Sequence, residues 1–326
     1  MRPLVVFLFD ARNWSLHRIA LQLQRQLGER YEILIGTYRM FENGAIVPIS
    51  RLRSIATLVC LWHGDAPQAF ARVPPWTRRV LCVYDCGIYW GRALEEAAVS
   101  ADVVGYVSPP IRRALLESWP HLEKKIQPCY DGVDSTALFT PVPWPLGHKT
   151  AKRLKIGWCG SLDVHGGLLK GVDLIRQAAQ AASDWLTLVI ADRTVKFERM
   201  RDCFYAKIDV YVCMSMEEGT PNPLLEAAAC GRPFVSSNVG IASLFLADAR
   251  RHIEETSGGS NTNDNHPPPG IVLPTRDAAL LVQELHAYHL NRNLLQKAGA
   301  AARRTIERGN WDWSSRAKQF ANALLQ

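Results

Sequence analysis

The sequence lacks a hydrophobic run long enough to cross a bilayer. Its apolar stretches, such as PLVVFLFD at 3–10 and LTLVIA at 186–191, are much shorter than the roughly 18 to 20 residues that a membrane-spanning helix needs. The first of them ends in Asp10 without a small-residue cleavage site, which favours a strand over a signal peptide. We therefore expect a cytoplasmic protein, with peripheral contact to a membrane surface left open.

Sequence patterns for metal binding are also missing. The eight cysteines lie mostly inside apolar runs and form no CxxC pair or His-rich spacing, which argues against a zinc site and favours reduced, buried thiols. The charge excess is modest, with a net charge of +7 and a pI near 9.0. Such a charge suits a nucleotide diphosphate, an acidic membrane or a nucleic acid and does not choose among them.

What the sequence does contain is a regular alternation of strands and helices. Short β-branched and aromatic runs alternate with helical patterns, which is typical of parallel sheets in an α/β protein. The Pro-rich segment TPVPWPLGHKT at 140–150 interrupts this rhythm, and the rhythm then restarts. The 326 residues therefore predict two doubly wound, Rossmann-like domains over 1–143 and 144–310, followed by a C-terminal helix over 311–326 that packs back toward the first domain. The polar stretch 254–270, with Asp264 and His266 as conceivable ligands, is predicted to be a loop.

The segment MEEGTPNPLLEAAACGRPFVSS at 216–237 carries the main functional signal. It follows a predicted strand, and it predicts a helix with Asn222 as N-cap, Pro223 in the first turn and Gly231 at the end. Glu218 then lies in the loop after the strand, and Glu226 lies about one turn into the helix. Two carboxylates beside one helix start raise the question of what they bind.

The position of this loop answers the question in part. Ligands of open α/β sheets bind at the carboxyl ends of the strands, where helix amides point outward. The backbone of Gly219, Thr220, Pro221 and Asn222 is predicted to bind a phosphate, while the two carboxylates accept hydrogen bonds from sugar hydroxyls. The alternative is that Glu226 only complements the helix dipole and that Glu218 is solvated.

The same segment resembles the E-x7-E signature of retaining glycosyltransferases with the GT-B fold, in group 1 and similar to family 4. Further similar motifs are DGVDSTALFTP at 131–141, CGSLDVHGGLLKGVDLI at 159–175 and WDWSSRAKQF at 311–320. The resemblance implies two Rossmann-like domains with a cleft between them. It also implies transfer of a sugar from a UDP- or GDP-sugar to a hydroxyl acceptor, without a metal or other cofactor and with retention of configuration.

The resemblance further implies roles for individual residues. Glu218 would contact the transferred sugar, Glu226 the ribose hydroxyls and Lys170 the diphosphate. The chain departs from the family where relatives usually carry an Arg after the glycine, because it has Gly160 and Ser161 there. Arg193 or Lys196, after the next strand, is the candidate replacement for that cation.

The first domain offers less certain candidates. The loop after the first strand is FDARNWS instead of a glycine-rich loop, so that Asp10, Asn13 and Trp14 are expected to shape the binding side. Where relatives often place a His-Asp pair, this chain has Tyr84 followed by Asp85, and the nearest histidine is His63. Either Asp85 or His63 is a candidate for acceptor chemistry, and both have a structural role as the alternative.

The acceptor is the least defined part of the prediction. A saccharide or a lipid-linked saccharide is the default that the resemblance implies. Arg and Trp interleave in PPWTRRV at 74–80, so a hydroxymethylated DNA base is an alternative acceptor, with Arg72, Arg78 and Arg79 as candidate phosphate contacts. Another GT-B enzyme, such as an epimerase or a phosphorylase, and an inactive binding module are the rival classes.

Overall fold

The chain forms two compact units. The computed structural model describes residues 2–85, 87, 90–144, 148–162, 166–193, 195–257 and 267–326. The first unit contains the chain up to Gly132 together with Trp313–Gln326, and the second unit contains Val133–Asp312.

The first unit is a parallel sheet covered by helices. Its elements are β1 (Leu4–Phe9), α1 (Ser15–Leu27), β2 (Glu32–Thr37), α2 (Tyr38–Glu42), β3 (Ile55–Cys60), α3 (Ala66–Arg72), β4 (Arg78–Val83), α4 (Arg92–Ser100), β5 (Val103–Tyr106), α5 (Pro109–Ser118), β6 (Ile126–Pro128) and, from the C-terminus, α13 (Trp313–Phe320). Within the described residues the strand order is β2-β1-β3-β4-β5-β6.

Helices on both faces of this sheet explain why its strands are apolar. All six residues of β1 are buried, as expected for a strand whose two faces are both covered. Helix α1 buries Leu16, Ile19 and Leu23, a spacing that places them on one helix face. Helix α13 joins the same core, where the rings of Phe7 and Phe320 lie 5.8 Å apart.

The second unit repeats this architecture. Its elements are β7 (Leu154–Gly160), α6 (Gly166–Lys170), α7 (Val172–Ala181), β8 (Leu186–Asp192), α8 (Met200–Cys203), β9 (Val210–Cys213), α9 (Asn222–Ala229), β10 (Phe234–Ser237), α10 (Ala242–Ser257), β11 (Gly270–Leu273), α11 (Ala278–Leu290) and α12 (Arg292–Arg308). Over the part of the chain that is described, the parallel strands follow the order β11-β10-β9-β7-β8.

The predicted α/β class with two Rossmann-like, doubly wound domains is thus confirmed. The loop predicted at 254–270 begins later than the sequence indicates, because α10 continues to Ser257. Asp264 and His266 of that loop lie outside the described residues.

The units divide at places other than those the sequence predicts. The division falls after Gly132, whereas the prediction was 143. The segment in between is bound to the second unit: the Val142 amide donates to the Cys230 carbonyl at 3.1 Å, and the Arg201 Nε donates to the Thr140 carbonyl at 3.1 Å. Proline content marks an irregular backbone, but hydrogen bonds to one neighbour decide which unit it joins.

Candidate functional site

The predicted sugar-nucleotide residues follow two neighbouring strands of the second sheet. The chain leaves β7 for β8 on one side and returns to β9 on the other side of β7. The point between β7 and β9 is therefore the topological switch point, where open α/β sheets bind ligands at the carboxyl ends of the strands. Lys170 follows β7, and Glu218 follows β9.

Lys170 and Glu218 form an ion pair at this point. The Lys170 Nζ lies 2.8 Å from the Glu218 Oε1, although the two residues are 48 positions apart in the sequence. The Ser215 hydroxyl donates to the same Oε1 at 2.7 Å. Two donors on one oxygen fix the orientation of the Glu218 carboxylate.

The ion pair also holds the charge of Lys170. Burial is the largest single effect and disfavours the ammonium form, but Glu218, with smaller contributions from Cys213 and Glu217, outweighs it, so that the pKa of Lys170 is raised above its ordinary value. Lys170 is therefore positively charged at neutral pH. An ammonium group has three N–H donors, so Lys170 is able to donate to an anion while one N–H remains on Glu218.

Close backbone packing sets the position of Lys170. Gly171, the next residue, has φ +66° and lies so close to the Met214 carbonyl, just after β9, that a Cβ atom would collide with its oxygen. The Met216 amide donates to the Leu169 carbonyl at 2.8 Å. The end of α6 is thus joined directly to the end of β9, and only glycine fits at the junction.

Arg276 reinforces this junction. Its Nε donates to the Met214 carbonyl at 2.8 Å and its Nη2 to the Leu168 carbonyl at 3.1 Å. One guanidinium group therefore connects the loop after β9 with α6, and it holds the Lys170 backbone relative to Glu218.

Glu226 is placed differently from Glu218. It lies on the buried face of α9 with 8% of its surface exposed, and its Oε2 accepts a hydrogen bond from the Tyr205 hydroxyl at 2.5 Å. The predicted N-cap is wrong: Asn222 is the first helical residue and Pro221 occupies the cap position without a side-chain hydrogen bond. A capping Asn must keep a non-helical backbone, and here the Pro221 turn already provides it.

Fewer of the backbone amides at 219–222 are able to donate to a phosphate than the sequence predicts. Among the four residues at 219–222, Pro221 has no amide hydrogen and the Asn222 amide donates to the Thr220 carbonyl at 2.8 Å. The predicted phosphate contact therefore depends most on the amide of Gly219. Gly240, with φ +55°, supports this loop, since its Cβ position would lie 2.6 Å from the Gly219 carbonyl oxygen.

The loop after β7 is tied to the end of β8. Gly160 is the last residue of β7 and pairs in register with Asp192, whose Oδ1 accepts from the Leu162 amide at 2.9 Å. Ser161 and Arg193 are the residues that follow this last pair, and Arg193 is exposed with φ +54°. The Ser161 Oγ is buried and makes no hydrogen bond to any described residue.

The two acceptor candidates of the first unit meet. His63 follows β3 and Asp85 follows β4, and since these strands are neighbours, the His63 Nδ1 lies 3.6 Å from the Asp85 Oδ2. Burial lowers the pKa of His63, and the Asp85 carboxylate only partly opposes this effect. Burial likewise raises the pKa of Asp85, against the opposing effect of His63. The two alternative candidates for acceptor chemistry thus lie side by side, one at each of two adjacent strand ends.

The loop after β1 uses an asparagine where a glycine-rich loop was expected. Asn13 has φ +65°, a region that asparagine tolerates better than most residues. Its amide donates to the Nδ1 of His17, at the start of α1, at 3.0 Å. Asp10 and Trp14 flank this turn, and Trp14 is 41% exposed.

Two of the three arginines considered for DNA binding donate to backbone carbonyls inside the first unit. The Arg78 Nε donates to the Leu324 carbonyl at 2.8 Å, and the Arg72 Nη2 donates to the Glu42 carbonyl at 2.7 Å. Arg79 lies half-buried beside Arg78. These contacts connect parts of the fold, which is a structural use of the side chains.

Across the described ranges, no group of three or more His, Cys, Asp or Glu side chains is arranged to hold a metal ion. No helix of the described chain has both the length and the apolar character to cross a membrane.

Comparisons with known proteins agree with this architecture. Anabaena Alr3699/HepE, solved in complex with UDP and glucose, matches with a TM-score of 0.69 at 13% identity over 99% of both chains. A sucrose-phosphate synthase from Thermosynechococcus elongatus matches with a TM-score of 0.67 at 14% identity over 98% of both chains. The lipopolysaccharide outer core galactosyltransferase WaaB matches with a TM-score of 0.62 at 14% identity over 99% of both chains. These likenesses define the fold as that of the GT-B glycosyltransferases.

The family match is confined to the second unit. Residues 154–286 match the model of group 1 glycosyl transferases, and this stretch contains Lys170, Glu218 and Glu226. The group 1 resemblance is thereby confirmed. No curated protein sequence matches the chain.

Sequence patterns missed three residues of the candidate site: Ser215 and Tyr205, which donate to the two carboxylates, and Arg276, which binds backbone carbonyls beside them. Ser215 precedes Glu218 by only three positions, so the local spacing could have suggested it. Tyr205 and Arg276 reach the site from other elements, and no spacing in the sequence connects them with it.

Proposed function

We propose that the protein is a retaining, metal-independent glycosyltransferase that moves a sugar from a nucleotide-diphosphate sugar to a hydroxyl of a saccharide or lipid-linked acceptor. The observation that supports this most is the Lys170–Glu218 ion pair at the switch point of the second sheet. A fixed cation beside a fixed carboxylate suits a ligand that has a diphosphate next to a polyol.

In the proposed complex, Lys170 donates to the diphosphate and Glu218 accepts from hydroxyls of the transferred sugar. Glu226 accepts from the ribose hydroxyls, and Arg193 supplies a second cation near Ser161. UDP-sugars are the first donors to test, because UDP is bound by the Anabaena relative, and GDP-sugars are the alternative.

The charges fit the bond that must break. Cleavage between the sugar C1 and the phosphate oxygen leaves negative charge on the diphosphate and develops positive charge on the sugar. Lys170 is already charged and oriented before the reaction, so that it stabilises the leaving group without reorganisation. The acceptor oxygen then bonds to C1 on the same face, and its proton passes to the leaving phosphate oxygen.

The first unit supplies the candidates for acceptor binding. Burial keeps His63 neutral at pH 7, and the Asp85 Oδ2 makes no hydrogen bond to the described residues. Both are therefore able to accept a hydrogen bond from a hydroxyl. Because Arg72 and Arg78 are engaged with backbone carbonyls, we favour a saccharide or lipid-linked acceptor over DNA.

A donor panel with paired variants tests the proposal. UDP- and GDP-sugars are incubated with acceptor pools, products are found by mass spectrometry, and the anomeric configuration is read by NMR. Glu226→Ala is expected to raise KM for the donor, because a ribose contact persists in the ground state. Glu218→Ala is expected to lower kcat more than it affects KM.

Glu284→Ala, on α11, is the matched control and should behave like the wild type. Wild-type kinetics in both Glu218→Ala and Glu226→Ala would refute the assignment of the two carboxylates, and an inverted product would refute retention.

A further inference from the structure

The hydroxyl of Tyr205 forms a hydrogen bond with the carboxylate of Glu226. Tyr205 lies in a single turn at 205–207, just before β9, and is completely buried. Its hydroxyl is 2.5 Å from the Glu226 Oε2 and 3.7 Å from the Cys159 Sγ. An ionised carboxylate has only acceptors, so the Tyr205 O–H must donate to Glu226.

We propose that Tyr205 is a positioning residue for nucleotide binding: its hydroxyl fixes the rotamer of Glu226 and so the direction in which this carboxylate accepts the ribose hydroxyls. This inference rests on the proposed function, in which Glu226 is the ribose contact. Tyr205 itself would not touch the ligand.

The surroundings of Tyr205 make it a rigid support. Its ring packs edge-on against Phe204 and Phe139, with centroids 5.0 Å and 5.8 Å away. The Arg232 Nε donates to the Tyr205 carbonyl at 3.2 Å. Because both the ring and the backbone of Tyr205 are already held in place, Tyr205 can orient Glu226 without losing conformational entropy when a ligand binds.

The proton of this hydroxyl stays in place over the working range of pH. Burial, with Cys159 and Glu226 adding to it, raises the pKa of Tyr205 well above its ordinary value. The group is therefore a constant hydrogen-bond donor. Removal of the oxygen would leave a mostly buried carboxylate with one partner fewer and with a choice of rotamers.

The test uses UDP and its 2′,3′-dideoxy analogue as probes, with binding measured by calorimetry on the full chain. In the wild type, loss of the two hydroxyls should weaken binding. Tyr205→Phe keeps the ring and removes only the oxygen, and it should weaken UDP binding about tenfold, in the range of one charge-assisted hydrogen bond. Binding of the dideoxy analogue should change little.

Two controls accompany this variant. Tyr288→Phe removes the hydroxyl of another buried tyrosine, on α11, and should bind both probes like the wild type. The double variant Tyr205→Phe/Glu226→Ala also removes the carboxylate that Tyr205 would orient. The double variant should bind UDP with the same affinity as Glu226→Ala alone, because Tyr205 would affect UDP binding only through Glu226.

The outcomes separate the two proposals. If Glu226→Ala does not reduce the preference for UDP over the dideoxy analogue, the ribose assignment in the proposed function fails. Suppose instead that Glu226→Ala reduces this preference for UDP. If Tyr205→Phe then leaves the preference unchanged, or weakens the binding of both probes equally, the positioning role is refuted and the ribose assignment stands. A double variant that binds UDP more weakly than Glu226→Ala also refutes the positioning role.

Discussion

Replacement of Gly171 tests the junction that positions Lys170. At φ +66°, any residue with a Cβ atom costs about 1 kcal/mol or more. A Cβ at this position would also collide with the Met214 carbonyl oxygen. No rotamer relieves that collision, since both atoms are fixed to the backbone, so α6 must move away from the end of β9.

The magnitude follows from the contacts that such a movement breaks. The hydrogen bond from the Met216 amide to the Leu169 carbonyl, at 2.8 Å, stabilises by about 1 kcal/mol, and a bond from the Arg276 guanidinium by somewhat more. We therefore expect Gly171→Ala to lower the free energy of unfolding by about 3 kcal/mol in total. Lys170 should lose its place beside Glu218, and UDP affinity should fall with it.

Gly231 provides a matched control in the same unit. Its φ is +76°, but the nearest atom to its Cβ position, the Gly299 carbonyl oxygen, is 4.0 Å away. Gly231→Ala thus carries the conformational cost of about 1 kcal/mol without a collision. Urea unfolding followed by circular dichroism and calorimetric titration with UDP compare the two variants. Equal stability and equal UDP affinity in both would refute the account of the junction.

Two further predictions concern pH and metal. His63→Asn should remove an acid-side limb from the pH profile of kcat/KM: because burial lowers the pKa of His63, its neutral form persists below the ordinary value of 6.5, and activity should be lost only as the pH falls further. A wild-type limb at or above pH 6.5, or one that His63→Asn leaves in place, would contradict this. Activity should also survive excess EDTA, because Lys170 and the nearby amides supply the positive charge; loss on chelation that is restored by manganese or magnesium would contradict the proposed role of Lys170.

Local sequence patterns were sufficient for the fold class and for part of the site. Alternating strands and helices predict parallel sheets. The hydrophobic periods of strands and helices differ, and each period can be recognised from neighbouring residues alone. The segment at 216–237 likewise predicts Glu218 in a loop and Glu226 on a helix, since both positions depend only on the adjoining strand end and the Pro-Asn-Pro turn. Even here, local spacing assigned the N-cap to Asn222, although the structure places Pro221 there.

Long-range packing decided the rest. Lys170 meets Glu218 because the chain crosses from β8 to the far side of β7 and so makes β7 and β9 neighbours. His63 meets Asp85 for the same reason, as β3 and β4 are adjacent. By itself the sequence determined which residues are candidates for binding a sugar nucleotide. Only the tertiary structure decided which of them touch, because contacts between distant residues depend on the order of the strands, which no local spacing records.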